Sequence, residues 1–263
     1  MRKTYRGSNN KDYWTKRWSD IPADLAMRNK SKYPLKYAEL MIKSNRERIL
    51  EAGCGAGRIL RYYHNLNYEI IGIDFIDIAI EKLKKVDGSL NVEVGDIKSL
   101  RFDDNYFQYI LAFGLFHNLE HGLKDSIAES YRILKNGGSI CASFRADNLQ
   151  TKLVDFLASL KEKKINYPST EKKFHKMNLT KKEFTNLFTK VGFNIEFIEP
   201  VENMPILYKF SFFRHKSHKK FNENLARKEG YKLSWYGFII QKILMTLMPY
   251  QFCNIYVLIA RKS

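Results

Sequence analysis

Cysteine is scarce and scattered: Cys54, Cys141 and Cys253 are three in a chain of 263 residues. They are too far apart and odd in number for a disulfide framework or a zinc knuckle, which points to a reducing compartment. No apolar run is long enough to span a bilayer. The leading stretch MRKTYRGSNNKDYW is basic but lacks the apolar core of a secretion signal, so a cytoplasmic protein is expected, with any membrane contact peripheral. Internal repeats and low-complexity tracts are missing too. The 44% hydrophobic content suffices for one large α/β domain with additions.

Acidic residues are also in deficit, 28 against 45 basic ones, for a net charge of +17. The deficit is uneven: residues 1–50 carry +8, residues 51–146 carry −2 and residues 147–263 carry +11. A near-neutral middle between basic flanks suits an anionic substrate, an anionic membrane surface or nucleic acid. A lysine-rich solvated surface explains it equally well.

From about residue 47 strand and helix signals alternate. RERILEAG, YEIIGID, LNVEVGD, FQYILAFG and SICASFRA read as strands. Between them, RILRYYHNLN, FIDIAIEKLKKVD and HGLKDSIAESYRILKNGG have helical spacing, the last with a glycine stop at Gly137 and Gly138. This rhythm predicts an α/β fold with a parallel sheet covered on both faces. After residue 147 it breaks. LQTKLVDFLASLKEKK reads as an extra amphipathic helix and INYPSTEKKFHKMN as a basic loop. LTKKEFTNLFTKVG reads as a helix capped by Thr180 and closed at Gly192, FNIEFIEPV as a sixth strand and FCNIYVLIARK as a seventh.

In ILEAGCGAGR, residues 49–58, glycines stand at 53, 55 and 57. Glycines between a first strand and a first helix permit a tight turn and let the main chain approach a ligand. The spacing is G-x-G-x-G rather than the dinucleotide G-x-G-x-x-G, and Glu51 makes the pocket unwelcoming to phosphate. No lysine and hydroxyl pair follows, which excludes a P-loop. A zwitterionic amino-acid tail fits better.

These residues resemble the class I S-adenosylmethionine-dependent methyltransferases, of the small-molecule type. LEAGCGAG looks like their first motif, with Glu51, Gly53, Cys54, Gly55 and Gly57 at the cofactor. GIDF places Asp74 and Phe75 at the end of the second strand, where the family's acid takes both ribose hydroxyls. VGDI places Asp96 and Ile97 where the family holds adenine, and FGLFHN puts Phe113 and Gly114 at the end of the fourth strand. The resemblance covers roughly residues 45–200 and the last strand. It implies a Rossmann-like three-layer αβα sandwich: a seven-stranded, mostly parallel sheet with an antiparallel last strand and helical insertions. It further implies S-adenosylmethionine as cofactor, S-adenosylhomocysteine as product and no metal. In related enzymes an N-terminal helix closes over the cofactor. Residues 1–44 are accordingly expected to form a helical lid, with Tyr13 and Trp14 available for a cation–π contact to the sulfonium or for simple packing. Residues 45–263 then form the methyltransferase domain.

His117 is the candidate base or acceptor-orienting group, because it follows the fourth strand and imidazole titrates near neutrality. His121 is expected at the surface. HNLEH also matches the H-x-x-E-H pattern of some zinc peptidases, but it lacks an obvious third ligand. The insertions at about 147–179 and 203–250 are expected to form a substrate cap. Their aromatic, apolar and basic runs fit a membrane interface or core packing as well. The acceptor expected is an oxygen or nitrogen of a small molecule, a sugar or a lipid-linked, carrier-borne intermediate, with an anionic one favoured by the charge. RNA methylation is the alternative, although FGLFHN lacks the Asn/Asp-Pro-Pro-aromatic box of base N-methylation and no RNA-binding module is recognisable. A cofactor-binding protein without turnover is the third reading.

Overall fold

The computed structural model describes residues 1–6, 10–21, 23, 26–164, 173–222, 225–226 and 229–263. Residues 165–172 of the expected basic loop and residues 7–9, 22 and 24–25 of the expected lid lie outside them. The chain folds as two units: Met1–Arg145 with Glu171–Glu199 and Val257–Ser263, and Ala146–Thr170 with Pro200–Tyr256.

The larger unit begins with β1 (Arg2–Arg6), α1 (Asn10–Asp20) and α2 (Leu35–Met41). The alternating part follows as β2 (Ile49–Ala52), α3 (Arg58–His64), β3 (Ile70–Asp74), α4 (Asp77–Val86), β4 (Val92–Val94), β5 (Phe107–Ala112), α5 (Leu123–Ile133) and β6 (Leu134–Arg145). After α6 (Leu149–Lys164) of the smaller unit come β7 (Lys173–Asn178), α7 (Lys181–Thr189) and β8 (Phe193–Val201). The helices α8 (Trp235–Leu247) and α9 (Pro249–Phe252) precede β9 (Ile255–Lys262).

Seven strands form one sheet in the order β4-β3-β2-β5-β6-β9-β8. The pairs β2–β3, β2–β5, β3–β4 and β5–β6 are parallel, and β9 runs antiparallel between β6 and β8, with Asn254 at its start bonded to Ala146 at the end of β6 and to Val201 at the end of β8. The Rossmann-like class expected from the sequence is the class observed. Strands β2 and β3 are buried at every position, which is why they read as continuous apolar runs rather than alternations. The order reverses between β2 and β5, both of which run out at the same edge, and such a switch point is where open α/β sheets bind ligands.

Two local expectations are corrected. The helix expected to stop at Gly137 and Gly138 ends at Ile133, and both glycines lie inside the first turn-like stretch of β6. A Cβ on Gly138 would stand 2.9 Å from the Lys135 carbonyl oxygen and 3.0 Å from that of Gln108, so both the local turn and the neighbouring strand require glycine there. The stretch 173–178, expected as loop, is a strand paired antiparallel with β1, from Arg2↔Asn178 to Arg6↔Lys173. Its partner lies some 170 residues away, and no local periodicity reports such a pairing.

The Thr180 cap is a full capping box: its hydroxyl accepts the Glu183 N–H, and the Glu183 carboxylate accepts the Thr180 N–H. That helix carries Phe184 and Phe188 into a fully buried aromatic cluster with Phe116, Phe144 and Phe193, ring centroids 5.5–6.1 Å apart. Each such ring contributes roughly 1.5–3 kcal/mol by burial. The cluster fixes the turn after β5 against β6.

Candidate cofactor and acceptor site

Leaving β2, the chain turns through three glycines in the left-handed region, with φ of 71° at Gly53, 52° at Gly55 and 73° at Gly57. At Gly55 two requirements coincide. A Cβ would be strained by the backbone and would stand 2.5 Å from the Trp18 ring. The Gly53 and Cys54 N–H groups bond to the Ile73 carbonyl, which ties the turn to β3. Cys54 itself is buried with its sulfur toward Gly72, so it meets the turn through its backbone only.

Two carboxylates flank this turn. Glu51 is 6% exposed, and burial pushes its pKa up to about 8; a hydrogen bond from the Leu60 N–H opposes the shift, Asp74 adds to it and Arg58 works against it. Its Oε2 is sealed from solvent and has no hydrogen-bond partner. Asp74 accepts the Gly55 N–H at Oδ2 and the Ile76 N–H at Oδ1, each at 2.9 Å. Burial raises its pKa while these backbone donors lower it. A carboxylate has about four acceptor positions, and the N–H groups of Gly55, Ile76 and Phe75 leave room for a ligand hydroxyl.

Helix α1 lies against this turn. The Trp18 ring meets Gly55, Trp14 stacks on Trp18 at 5.6 Å, and Lys11 sits 5.0 Å over the exposed Phe75 ring. Lys82 of α4 holds the end of α1 by donating to the carbonyls of Trp18, Ser19 and Ile21 at 2.7, 2.6 and 3.0 Å. Tyr13 and Trp14 are expected either at the cofactor or in simple packing; the ring in contact with the glycine turn is Trp18, Trp14 stacks on Trp18, and Tyr13 faces His175 edge-on. The i, i+4 spacing of the two tryptophans was the available signal. Lys82 gave none.

Past β4, Asp96 takes the Lys98 N–H at 3.0 Å and its ammonium at 3.1 Å, and Ile97 is buried. Past β5, Phe113 meets Tyr33 edge-on, and the Gly114 N–H donates to the Ser143 hydroxyl, which also bonds the Tyr33 hydroxyl. Asn118 donates to the Gly114 carbonyl at 2.7 Å and closes the turn. Leu115 packs on Gly53, which brings this turn to the glycine loop.

His117 stands in a 3-10 turn over Phe116–Asn118, its ring 6.0 Å from Phe144 and its buried Nδ1 without a partner. Burial holds its pKa well below the usual imidazole range, with Arg145, Lys176 and His175 pushing the same way. The expectation that it titrates near neutrality is therefore corrected: the ring stays neutral. Residues 119–121 are not helical and His121 is exposed, so the two histidines do not share a helix face. Among the described residues no three metal-binding side chains gather. Around His117 the structure adds residues the sequence did not single out. Arg145 donates to the Asn178 Oδ1 at 3.3 Å, Lys176 is 7% exposed, and Asn178 is fully buried with its Nδ2 unpartnered. A separate cleft of about 360 Å³, lined by Met41, Gln108, Tyr109 and Arg261, lies at the start of β5, away from the glycine turn.

S-Adenosylmethionine suits the residues present. The orphaned Glu51 oxygen matches the cofactor's ammonium, and Asp74 keeps acceptor capacity for a ribose hydroxyl.

A family described as Methyltransferase domain matches residues 50–142. An uncharacterized methyltransferase of Schizosaccharomyces pombe is 31% identical over 77 residues, which cover 28% of this chain and 53% of that protein. An S-adenosyl-L-methionine-dependent Diels-Alderase of Talaromyces variabilis is 28% identical over 128 residues, 46% of this chain and 43% of that one. The chain thus spans about half the length of the curated relatives it matches. A SAM-dependent methyltransferase structure from Methanosarcina mazei superposes with a TM-score of 0.57 at 19% identity, covering 88% of this chain and 98% of that one. The putative methyltransferase of Haloferax volcanii, solved with the Trm112 activator, gives 0.61 at 13% identity over 96% and 95%. Residues 50–142 thus match a methyltransferase domain, and the chain shares the fold of S-adenosylmethionine-dependent methyltransferase structures.

Proposed function

We propose that the chain transfers a methyl group from S-adenosylmethionine to an oxygen or nitrogen of a small or carrier-linked acceptor that bears negative charge. One observation carries the choice of acceptor. Beside the glycine loop, at the ends of β5, β6 and β7, Arg145, Lys176 and His175 surround His117, and the Nδ1 of His117 and the Nδ2 of Asn178 are buried without partners. Buried polar atoms are normally satisfied, and two left open beside basic side chains suit an anionic ligand.

When bound, the cofactor supplies a methyl group already activated on sulfonium. The chain's work is alignment and exclusion of water. Glu51 would hold the amino group of the methionine tail, Asp74 the ribose, and Phe75, Asp96 and Ile97 the adenine. Trp18 and the rest of α1 act as a lid over the glycine turn and keep water from it. A nitrogen at Nδ1 of neutral His117 meets the acceptor and orients it. Protonation of that nitrogen among three basic neighbours is unfavourable, so His117 is a poor proton store. An acceptor oxygen that is already anionic needs no base, which agrees with that restraint.

The test is incubation with methyl-labelled S-adenosylmethionine and fractionated cell extract. Label in an anionic small molecule or carrier-linked product supports the proposal. Label in RNA, with binding that falls steeply with salt, would replace it with RNA methylation. Cofactor binding with no S-adenosylhomocysteine released by any fraction would favour a cofactor-dependent protein that transfers no methyl, a reading suggested by the likeness to the Diels-Alderase.

A further inference from the structure

The helix α8 is amphipathic the wrong way round for a helix in water. The residues it buries are Gly237 and Gln241, 3% exposed in the second case. Those it exposes are Trp235 (76%), Phe238 (59%), Ile239 (48%), Ile243 (50%) and Leu247 (72%). The inward face is specified by fit. A Cβ on Gly237 would come 2.8 Å from the Phe213 carbonyl oxygen, while Gln241 accepts the Leu207 N–H and donates to Glu202. Ser234 caps the helix by accepting the Gly237 N–H, which fixes its rotation. The segment before the helix extends the apolar face. Phe212 is 72% exposed, and the Tyr236 ring lies 5.2 Å from it with its hydroxyl bonded to the Phe212 carbonyl.

Exposed apolar surface this extensive marks an interaction site. Its charge selects the partner. Residues 203–222 hold five lysines and arginines and no acid, and residues 234–250 add Lys242 and again no acid. Lys216, Lys219, Lys220 and Lys242 are all exposed. The thirteen residues of α8 make a rod of about 20 Å, short of the roughly 30 Å hydrocarbon core. No helix among the described residues is long and apolar enough to cross a membrane. A helix of this kind lies in the plane of the headgroups, with tryptophan and phenylalanine below and lysines reaching up to phosphate.

We propose that the smaller unit docks on an anionic lipid surface through the exposed face of α8, Phe212 and the lysines at 216, 219 and 220. The surface is independent of the methyl-transfer chemistry, and so is its test. The full chain is mixed with phosphatidylcholine vesicles with and without phosphatidylglycerol, and binding is read by co-sedimentation and by tryptophan emission. Binding to the anionic vesicles with a blue shift that disappears in Trp235→Phe is expected. Since each basic residue near an anionic surface is worth about fivefold in affinity, Lys216→Glu/Lys219→Glu/Lys220→Glu should bind at least tenfold more weakly. Phe238→Glu/Ile243→Glu changes only exposed positions, so its circular dichroism should stay native while binding is lost. Equal binding by that double variant overturns the proposal. So does failure of the wild type to bind either vesicle, including the case in which sedimentation shows a dimer that the double variant dissociates.

Discussion

The unpartnered oxygen of Glu51 links cofactor binding to pH. In the free protein its pKa is pushed up to about 8, so at pH 7 roughly one molecule in eleven carries the charge the cofactor's ammonium needs. If pairing holds the carboxylate ionised in the complex, binding at pH 7 releases about 0.9 proton. The apparent affinity should then tighten roughly tenfold from pH 6 to pH 7 and level off above pH 8. S-Adenosylhomocysteine is the ligand of choice, because its amino group stays protonated across the lower window. His117, held well below its ordinary range, does not titrate there. Titration calorimetry in buffers of different ionisation enthalpy reads the proton directly. Glu51→Gln keeps the shape of the neutral acid, so it should fold, bind with no proton release and show a nearly flat profile. At pH 8 it should bind about ten- to a hundredfold more weakly, for the loss of a charge-assisted bond. The free protein gives an independent reading. An acid whose folded pKa is raised favours the folded state fully below its ordinary value and loses that contribution as pH rises toward 8, so melting temperature should fall across pH 5 to 8, and less in Glu51→Gln. A wild-type affinity flat from pH 6 to 7 with no proton released would refute the reasoning.

Asp74→Asn keeps the bond from the Gly55 N–H but removes charge and one acceptor, and S-adenosylhomocysteine affinity should drop at least about tenfold by calorimetry. His117→Phe should cut turnover with the active extract fraction tenfold or more and leave the cofactor dissociation constant within about twofold, whereas a pure packing role would leave turnover unchanged. Because His117 stays neutral, the wild-type rate should show no titration from this ring between pH 6 and 8. Lys82→Met frees three carbonyls at the end of α1; limited proteolysis before residue 22 should accelerate and cofactor affinity should fall severalfold, and unchanged values for both would remove α1 from the site.

The sequence by itself determined the sheet and the glycine turn with its flanking acids. Buried parallel strands need unbroken apolar runs, the turn after β2 needs glycine at positive φ, and an acid at the end of β3 is two residues from the main chain it meets, so each requirement is written within a few consecutive residues. The surroundings of His117 were decided by tertiary structure. Lys176 lies near His117 because β7, paired with β1, packs against the turn after β5, and Trp18 meets Gly55 with the end of α1 held by Lys82. The charge state of His117 and Glu51 belongs to the fold as well, since burial and the nearest charges set it. The apolar run of α8 was legible in order, but which face turns outward depended on Gly237 fitting beneath the Phe213 carbonyl, a contact between segments that no periodicity encodes.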